Sequence, residues 1–289
     1  MKETLVTVCV PAYNHERYII ECLDSIKCQT YKDYQWIVVD DCSSDRTPEI
    51  LKENQNKYGY ELILHKKNIG ISATLTEIIR DKSFGKYFAL CASDDSWLPN
   101  KLQVQVDYME SHPDDSLCYG YFYLMDVESK ILGPCQINKY RGGYIFNDLL
   151  KLNFDIPPNS MIRKNVIEKM GYYQSGVIAE DFYMYTRISH EYSIGLIPDY
   201  ISYYRYAPLH GKRDPLTLML SIEDTINFYK NEDIYKEAYS LHCLRCFDVL
   251  SSYRKYKILS LKYLFKVQMR YVRMDSLVKG VYHFIRWWV

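Results

Sequence analysis

The chain has 289 residues, of which 48% are apolar and 25% charged, and its acidic and basic residues balance to zero net charge. That is room for a large α/β domain with an appendage, at an ordinary globular composition. No global basic field marks nucleic acid as a partner, and no apolar run nears the ~18–20 residues of a membrane span.

The first hundred residues alternate regularly. Residues 5–10 form a β-branched run ending at Pro11, and residues 19–27 have helical spacing. Residues 36–39 again read as a buried strand, followed by Asp40 and Asp41. Residues 48–57 read as a helix, with Asp45 or Thr47 available as its cap. Residues 61–64 are strand-like, 71–82 helical, 87–91 an apolar run, and 100–112 an amphipathic helix. Strands without clear alternation are buried on both faces, which predicts a mostly parallel, Rossmann-like sheet flanked by helices. Ligands of such sheets bind at the carboxyl ends of strands. That rule selects the segment Pro11-Ala12-Tyr13-Asn14, the pair Asp40-Asp41, and Ser93-Asp94-Asp95.

From residue 116 to about 206 the pattern is less regular. It has aromatic strands at 117–125 and 200–206, a Gly142-Gly143 turn, a Pro157-Pro158 break and a helix starting near Glu180. From about Pro215 the chain reads as all helical, with the boundary expected across 207–215. The expected domains are therefore 1–206, with halves meeting near 115, and a helical extension over 207–289.

The nine cysteines are scattered and odd in number, and the opening residues 1–14 lack the basic stretch, apolar stretch and cleavage site expected of a secretory leader. A reducing, cytoplasmic setting with free thiols is expected. Cys243 and Cys246 form a lone Cys-x-x-Cys, read as two thiols at helical spacing in a packed segment. Tyrosine is abundant, at 30 residues, and its hydroxyl-bearing ring suits carbohydrate contacts.

Several chemistries are missing. There is no Gly-x-Gly-x-x-Gly after the first strand, no P-loop and no nucleophile elbow. The adjacent carboxylates Asp94 and Asp95 follow a buried strand, where neighbouring side chains point to opposite sides. One can face a cation while the other faces a sugar hydroxyl, and carboxylate oxygens suit Mg²⁺ or Mn²⁺. Alone, the pair also reads as a solvated turn before a helix.

The ordered series resolves that ambiguity. Val10-Pro11-Ala12-Tyr13-Asn14, Gln29-Thr30-Tyr31, Val39-Asp40-Asp41-x-Ser43-x-Asp45-x-Thr47, Asn68-x-Gly70, Ser93-Asp94-Asp95-x-Trp97-x-Pro99-x-Lys101-Leu102 and Glu180-Asp181 occur in sequence. Over about residues 4–206 the chain resembles a family 2 glycosyltransferase with the GT-A fold. The resemblance implies an inverting, metal-dependent enzyme that uses a nucleotide diphosphate sugar, a UDP-sugar first among them. It implies that Pro11, Ala12, Tyr13 and Asp41 hold the base, Asp94 lies near the ribose, and Asp95 bridges Mn²⁺ or Mg²⁺ to the diphosphate. It further implies Asp181 as catalytic base with Glu180 beside it on the acceptor side, and an Asn68–Gly70 loop over the nucleotide. Many members carry a further aspartate where this chain has Ala92, which leaves the ribose contact less defined.

Inversion needs one base on the acceptor side and one metal-binding carboxylate on the leaving-group side. Asp181 and Asp95 suit those roles. Arg205, His210, Lys212 and Arg213 follow the last expected strand as a cationic cluster that could fold over the diphosphate, with His210 a further metal ligand. The expected acceptor is a glycan or lipid-linked glycan of cell-surface polysaccharide synthesis. Ile258, Leu261, Phe265, Met269 and Val272 recur at helical spacing beside Lys262, Lys266, Arg270 and Arg273, ahead of an aromatic end from Tyr282 to Val289. That pattern suits the inner face of an anionic membrane, packing on the domain, or a homodimer contact. Two rival functions remain at this point: a nucleotidyltransferase, which normally has a Gly-rich, Arg-containing loop where this chain reads Pro-Ala-Tyr-Asn, and a catalytically silent glycan-binding protein, which would have lost a carboxylate from the set.

Overall fold

The computed structural model describes residues 5–206, 214–271, 278, 281 and 284. His210, Lys212, Arg213, Val272, Arg273 and all of the aromatic end except Phe284 lie outside the described residues. Contacts divide the chain into two compact units, Met1–Ile145 with Ile156–Pro208, and Phe146–Asp155 with Leu209–Val289.

The first unit opens as three βα steps and a fourth strand. Strand β1 (Val6–Ala12) leads to α1 (Ile19–Lys27), β2 (Tyr34–Asp40) to α2 (Thr47–Tyr58), β3 (Glu61–Leu64) to α3 (Ile71–Glu77), and a π-helical turn at Ile78–Lys82 precedes β4 (Tyr87–Leu90). Both faces of β1 and β2 are covered, so their runs are apolar without alternation. Pro48 sits in the first turn of α2, and Gly59 ends that helix at φ 84°, where a side chain is strained. Strands β1 and β2, β2 and β3, and β1 and β4 pair in parallel. Val6, Val8 and Val10 share one buried core cluster with Leu23 and Ile26 of α1.

The remainder of this unit is mixed. It comprises β5 (Ser96–Trp97), α4 (Lys101–Ser111), β6 (Asp115–Met125) and β7 (Ile131–Pro134), then, after α5 (Phe146–Leu150) of the second unit, β8 (Met161–Arg163), α6 (Lys164–Lys169), α7 (Glu180–Glu191) and β9 (Ser193–Arg205). The sheet order is β3-β2-β1-β4-β8-β6-β9-β5, with β7 on β6. Strand β9 lies parallel to β6, while β8, β5 and β7 pair antiparallel. Strand β9 starts earlier than the aromatic run at 200–206 indicates, because Ser193 and Ile194 already pair with β6.

In the second unit, α8 (Pro215–Asn227), α9 (Tyr235–Ser251) and α10 (Lys257–Leu264) join α5. Asp214 caps α8 by accepting from the Thr217 N–H, and Pro215 stands where no N–H is needed. Cys243 and Cys246 are buried on α9, and all nine cysteines are free thiols. Cys246 Sγ contacts His242 Nε2 at 3.2 Å, and burial pushes the Cys243 thiol up to about 11.

Candidate active site

Three strand ends build one edge of the sheet. Pro11 and Ala12 close β1, and the Ala12 carbonyl accepts from the Asp41 N–H at 2.9 Å, which continues the β1–β2 ladder. Tyr13 then turns outward, 47% exposed. Asn14 takes a left-handed φ of 55° and locks the turn to the next loop. Its N–H donates to Ser43 Oγ at 2.9 Å, and its Oδ1 accepts from the Ser44 N–H at 2.8 Å.

Asp41 is buried at the end of β2. Its Oδ1 accepts from the Ile69 N–H at 2.9 Å and meets His65 Nδ1 at 2.8 Å, while Oδ2 accepts from the Gly70 N–H at 2.8 Å. Gly70 has φ 82° and ψ 157°, a conformation essentially reserved for glycine. Asn68 is exposed just before those two gripped amides.

After β4 the chain turns sharply, with the Asp95 N–H donating to the Ala92 carbonyl. Asp94 is partly exposed, whereas Asp95 is 6% exposed. Asp95 Oδ1 accepts from the backbone N–H of Arg205 at 2.7 Å. Burial, and then the neighbouring Asp94, push the Asp95 carboxyl well above the usual carboxylate range. A buried carboxylate that resists ionisation favours a cation at its oxygens. Among the described residues no three His, Cys, Asp or Glu side chains cluster to hold a metal. The two adjacent carboxylates offer the oxygen donors that a hard cation takes.

Arg205 does not extend toward a ligand. Its guanidinium is buried, donating to the carbonyls of Asp94 and Asp126, to Ser129 Oγ and to Glu21 Oε2, and it lies over the Tyr18 ring. It clamps the Asp94-Asp95 turn from behind. The rest of the expected cationic cluster, including His210 as a metal ligand, lies outside the described residues. His15, which the motifs did not single out, does reach the site. Its Nδ1 meets Ser93 Oγ at 2.7 Å and its Nε2 stands 3.8 Å from Asp94 Oδ2. The one available signal was its place just beyond the Tyr13-Asn14 turn.

Glu180 and Asp181 open α7, where the helix dipole favours acidic side chains. Asp181 Oδ1 accepts from the Phe182 N–H at 2.7 Å. Tyr173 and Tyr185 lie buried close by; burial raises both phenols, followed by Tyr185 and then the Glu180 and Asp181 charges for Tyr173, and by the Asp181 charge for Tyr185. The Tyr185 hydroxyl meets Ser160 Oγ at 2.8 Å, and Ser160 precedes Met161, which pairs with Ala89 of β4. The first turns of α7 therefore stand over the carboxyl end of β4, the edge that also ends in Asp94-Asp95.

Solved structures share this architecture. S. aureus TarS in complex with UDP-GlcNAc matches with a TM-score of 0.65 at 18% identity, over 97% of this chain and 89% of that one. A mannosyltransferase from Pyrobaculum calidifontis in complex with GDP-Man and Mn²⁺ matches with a TM-score of 0.54 at 15% identity, over 97% and 86%. At those identities the likeness carries the fold, which is that of a GT-A glycosyltransferase. The family model for glycosyl transferase family 2 matches residues 7–171, and the chain belongs to that family. An uncharacterized glycosyltransferase of Methanocaldococcus jannaschii is 29% identical over 209 residues, 71% of this chain and 72% of that protein. An uncharacterized protein of Mycobacterium tuberculosis is 30% identical over 198 residues, 67% of this chain, and the match spans 56% of that relative's own length.

Proposed function

We propose that this glycosyltransferase transfers a hexose or N-acetylhexosamine, with inversion, from a UDP-sugar to a hydroxyl of a glycan or lipid-linked glycan. The reading is supported by Asp94-Asp95 lying on a turn clamped by Arg205 after β4, and by α7, which opens with Glu180-Asp181, being tied through Tyr185 and Ser160 to the strand that pairs with β4. The acceptor oxygen attacks the anomeric carbon, its proton passes to the Asp181 carboxylate, and the bond to the diphosphate oxygen breaks with its electron pair leaving on the nucleotide. Mn²⁺ or Mg²⁺ held by Asp95, when bound, neutralises charge on the departing diphosphate. Asp41 accepts three hydrogen bonds, and a carboxylate offers about four acceptor positions, so one remains for the imide N–H of a uracil. Pro11, Ala12 and Tyr13 line the same strand end, Asn68 stands beside it, and Asp94, flanked by His15, faces the ribose.

The test is Asp181→Asn. Turnover should fall roughly 10²–10⁴-fold with UDP affinity unchanged, measured as nucleotide release from a panel of nucleotide sugars with Mn²⁺ or Mg²⁺. Retention of most turnover removes Asp181 from the role of base. Absence of turnover by the unaltered protein with every donor favours the silent glycan-binding reading.

A second observation bears on where the enzyme works. On the helical unit Ile258, Phe265 and Met269 are strongly exposed, interleaved with the exposed cations Lys262, Lys266 and Arg270. Among the described residues no helix is long and apolar enough to cross a membrane. This face suits the anionic cytoplasmic surface of a bilayer, where a lipid-linked acceptor for polysaccharide synthesis would be met.

A further inference from the structure

We propose that Ser72 and Thr76 are positioning residues for Asp181, and that α3 couples occupancy of the Asp41 site to the placement of that carboxylate. The proposal rests on the reading of Asp181 as the base.

Helix α3 is held at its entry by the Asp41 carboxylate, which its exit approaches only through the His65 ring. Asp41 holds the Ile69 and Gly70 amides at the helix entry. At the exit, Glu77 Oε2 stands 3.5 Å from His65 Nε2, and the other nitrogen of that ring meets Asp41. Between the ends, Thr74 and Leu75 are fully buried, so the helix is packed to move as one body. Ser72 and Thr76 share one face, four residues apart. Ser72 Oγ donates to the Val177 carbonyl at 2.7 Å, and Thr76 Oγ1 donates to the Tyr173 carbonyl at 2.9 Å. Those bonds join segments 105 and 97 residues apart in sequence.

The far segment delivers the carboxylates. Val177 stands just before Ala179, the residue that starts α7, and Glu180 and Asp181 follow at once. The segment belongs to no strand, and it turns through Gly171, Tyr172 and Gly176 at positive φ. Hydroxyls from α3 thus supply anchors where a strand ladder is absent. The composition of α3 fits this role. Ser72, Thr74 and Thr76 are weak helix formers packed into seven residues, a local cost that their bonds and burial offset. A base that drifts by about 1 Å loses on the order of 10²-fold in rate, so these two bonds set a rate while leaving donor binding alone.

The experiment combines kinetics with amide exchange on the full chain. Ser72→Ala with Thr76→Val should lower kcat about 10- to 100-fold with little change in the KM for the donor, while Thr76→Ser alone keeps most of the rate. In the unaltered protein, UDP with Mn²⁺ should slow exchange across 173–181 as well as at 69–70. In the double variant only the slowing at 69–70 should remain. A folded double variant with full kcat overturns the proposal. So does an unaltered protein in which UDP protects 69–70 and leaves 173–181 unchanged, a measurement that needs no variant to fold. Loss of turnover in Asp181→Asn alongside a fully active double variant sinks the positioning role alone. Retained turnover in Asp181→Asn sinks the base assignment and the positioning role together.

Discussion

Consider replacing Asp95 with asparagine. The carboxylate is 6% exposed, sits beside Asp94, and has one backbone donor, the Arg205 N–H at 2.7 Å. Asparagine keeps an oxygen for that donor and removes the charge. Weakening a charge-assisted bond to a neutral one costs about 1 kcal/mol. Removing a buried charge and its repulsion with Asp94 gains roughly 2–3 kcal/mol. The net is about 1–2 kcal/mol in favour of asparagine, or roughly 2–8 °C in Tm for a unit of this size. The sign with pH follows from the raised carboxyl. Stability contributed by Asp95 is complete below the ordinary carboxylate range and is lost as pH rises through its elevated folded value. The advantage of the variant should therefore vanish near about pH 4 and be fully open at alkaline pH. Thermal unfolding in EDTA across that range reads it out. With UDP and Mn²⁺ the order should invert, because the unaltered protein gains ligand stabilisation and the variant does not. A variant less stable than the parent in EDTA at alkaline pH refutes the reasoning.

Two other outcomes follow from the same structure. Lys101 is fully buried, donates to Gln105 Oε1 at 2.6 Å and lies over the Trp97 ring; burial pushes its ammonium down to about 7. The stability it contributes is complete above the usual lysine range and drains away as pH falls to about 7, so Lys101→Met should stabilise by about 1–3 kcal/mol at neutral pH, with the gap closing toward alkaline pH in urea titrations. Ile258→Asp with Phe265→Asp should weaken binding to anionic vesicles by about 100-fold or more, and equal pelleting of variant and parent removes the membrane from the picture.

The opening βα alternation is legible because its helices are long enough to show a period, its strands are short runs between them, and Gly59 and Pro48 punctuate it. Strands β5, β7 and β8 were not legible. Strands β5 and β8 are two and three residues long and carry no periodicity, β7 reads Ile-Leu-Gly-Pro and ends in turn-forming residues, and the insertion of β8 between β4 and β6 is a pairing across more than forty residues that no local pattern encodes. The candidate site divides the same way. Asp41, Asp94, Asp95, Glu180 and Asp181 stand in ordered motifs. Arg205 reads in the sequence as one of a cationic cluster folding over the diphosphate, since only the tertiary fold turns its guanidinium inward to Glu21 and the Asp94 carbonyl. His15, His65, Ser72 and Thr76 matter through partners far along the chain, and a hydroxyl or imidazole in isolation announces no such partner.

The chain path has a consequence for anyone wishing to dissect this enzyme. Two modules joined end to end can be separated by a single cut. Here the helical unit borrows Phe146–Asp155 from the middle of the other, so the polypeptide passes between them three times. A fragment ending near Tyr206 would carry the buried Leu149 and Leu150, and the Phe146 ring that packs on Tyr229, without the rest of their unit. Stranding those leucines costs about 1.5–3 kcal/mol each and leaves a sticky excursion in the middle of an otherwise sound catalytic fold. An excision that respects this path removes 146–155 together with the tail and bridges the gap with a short loop.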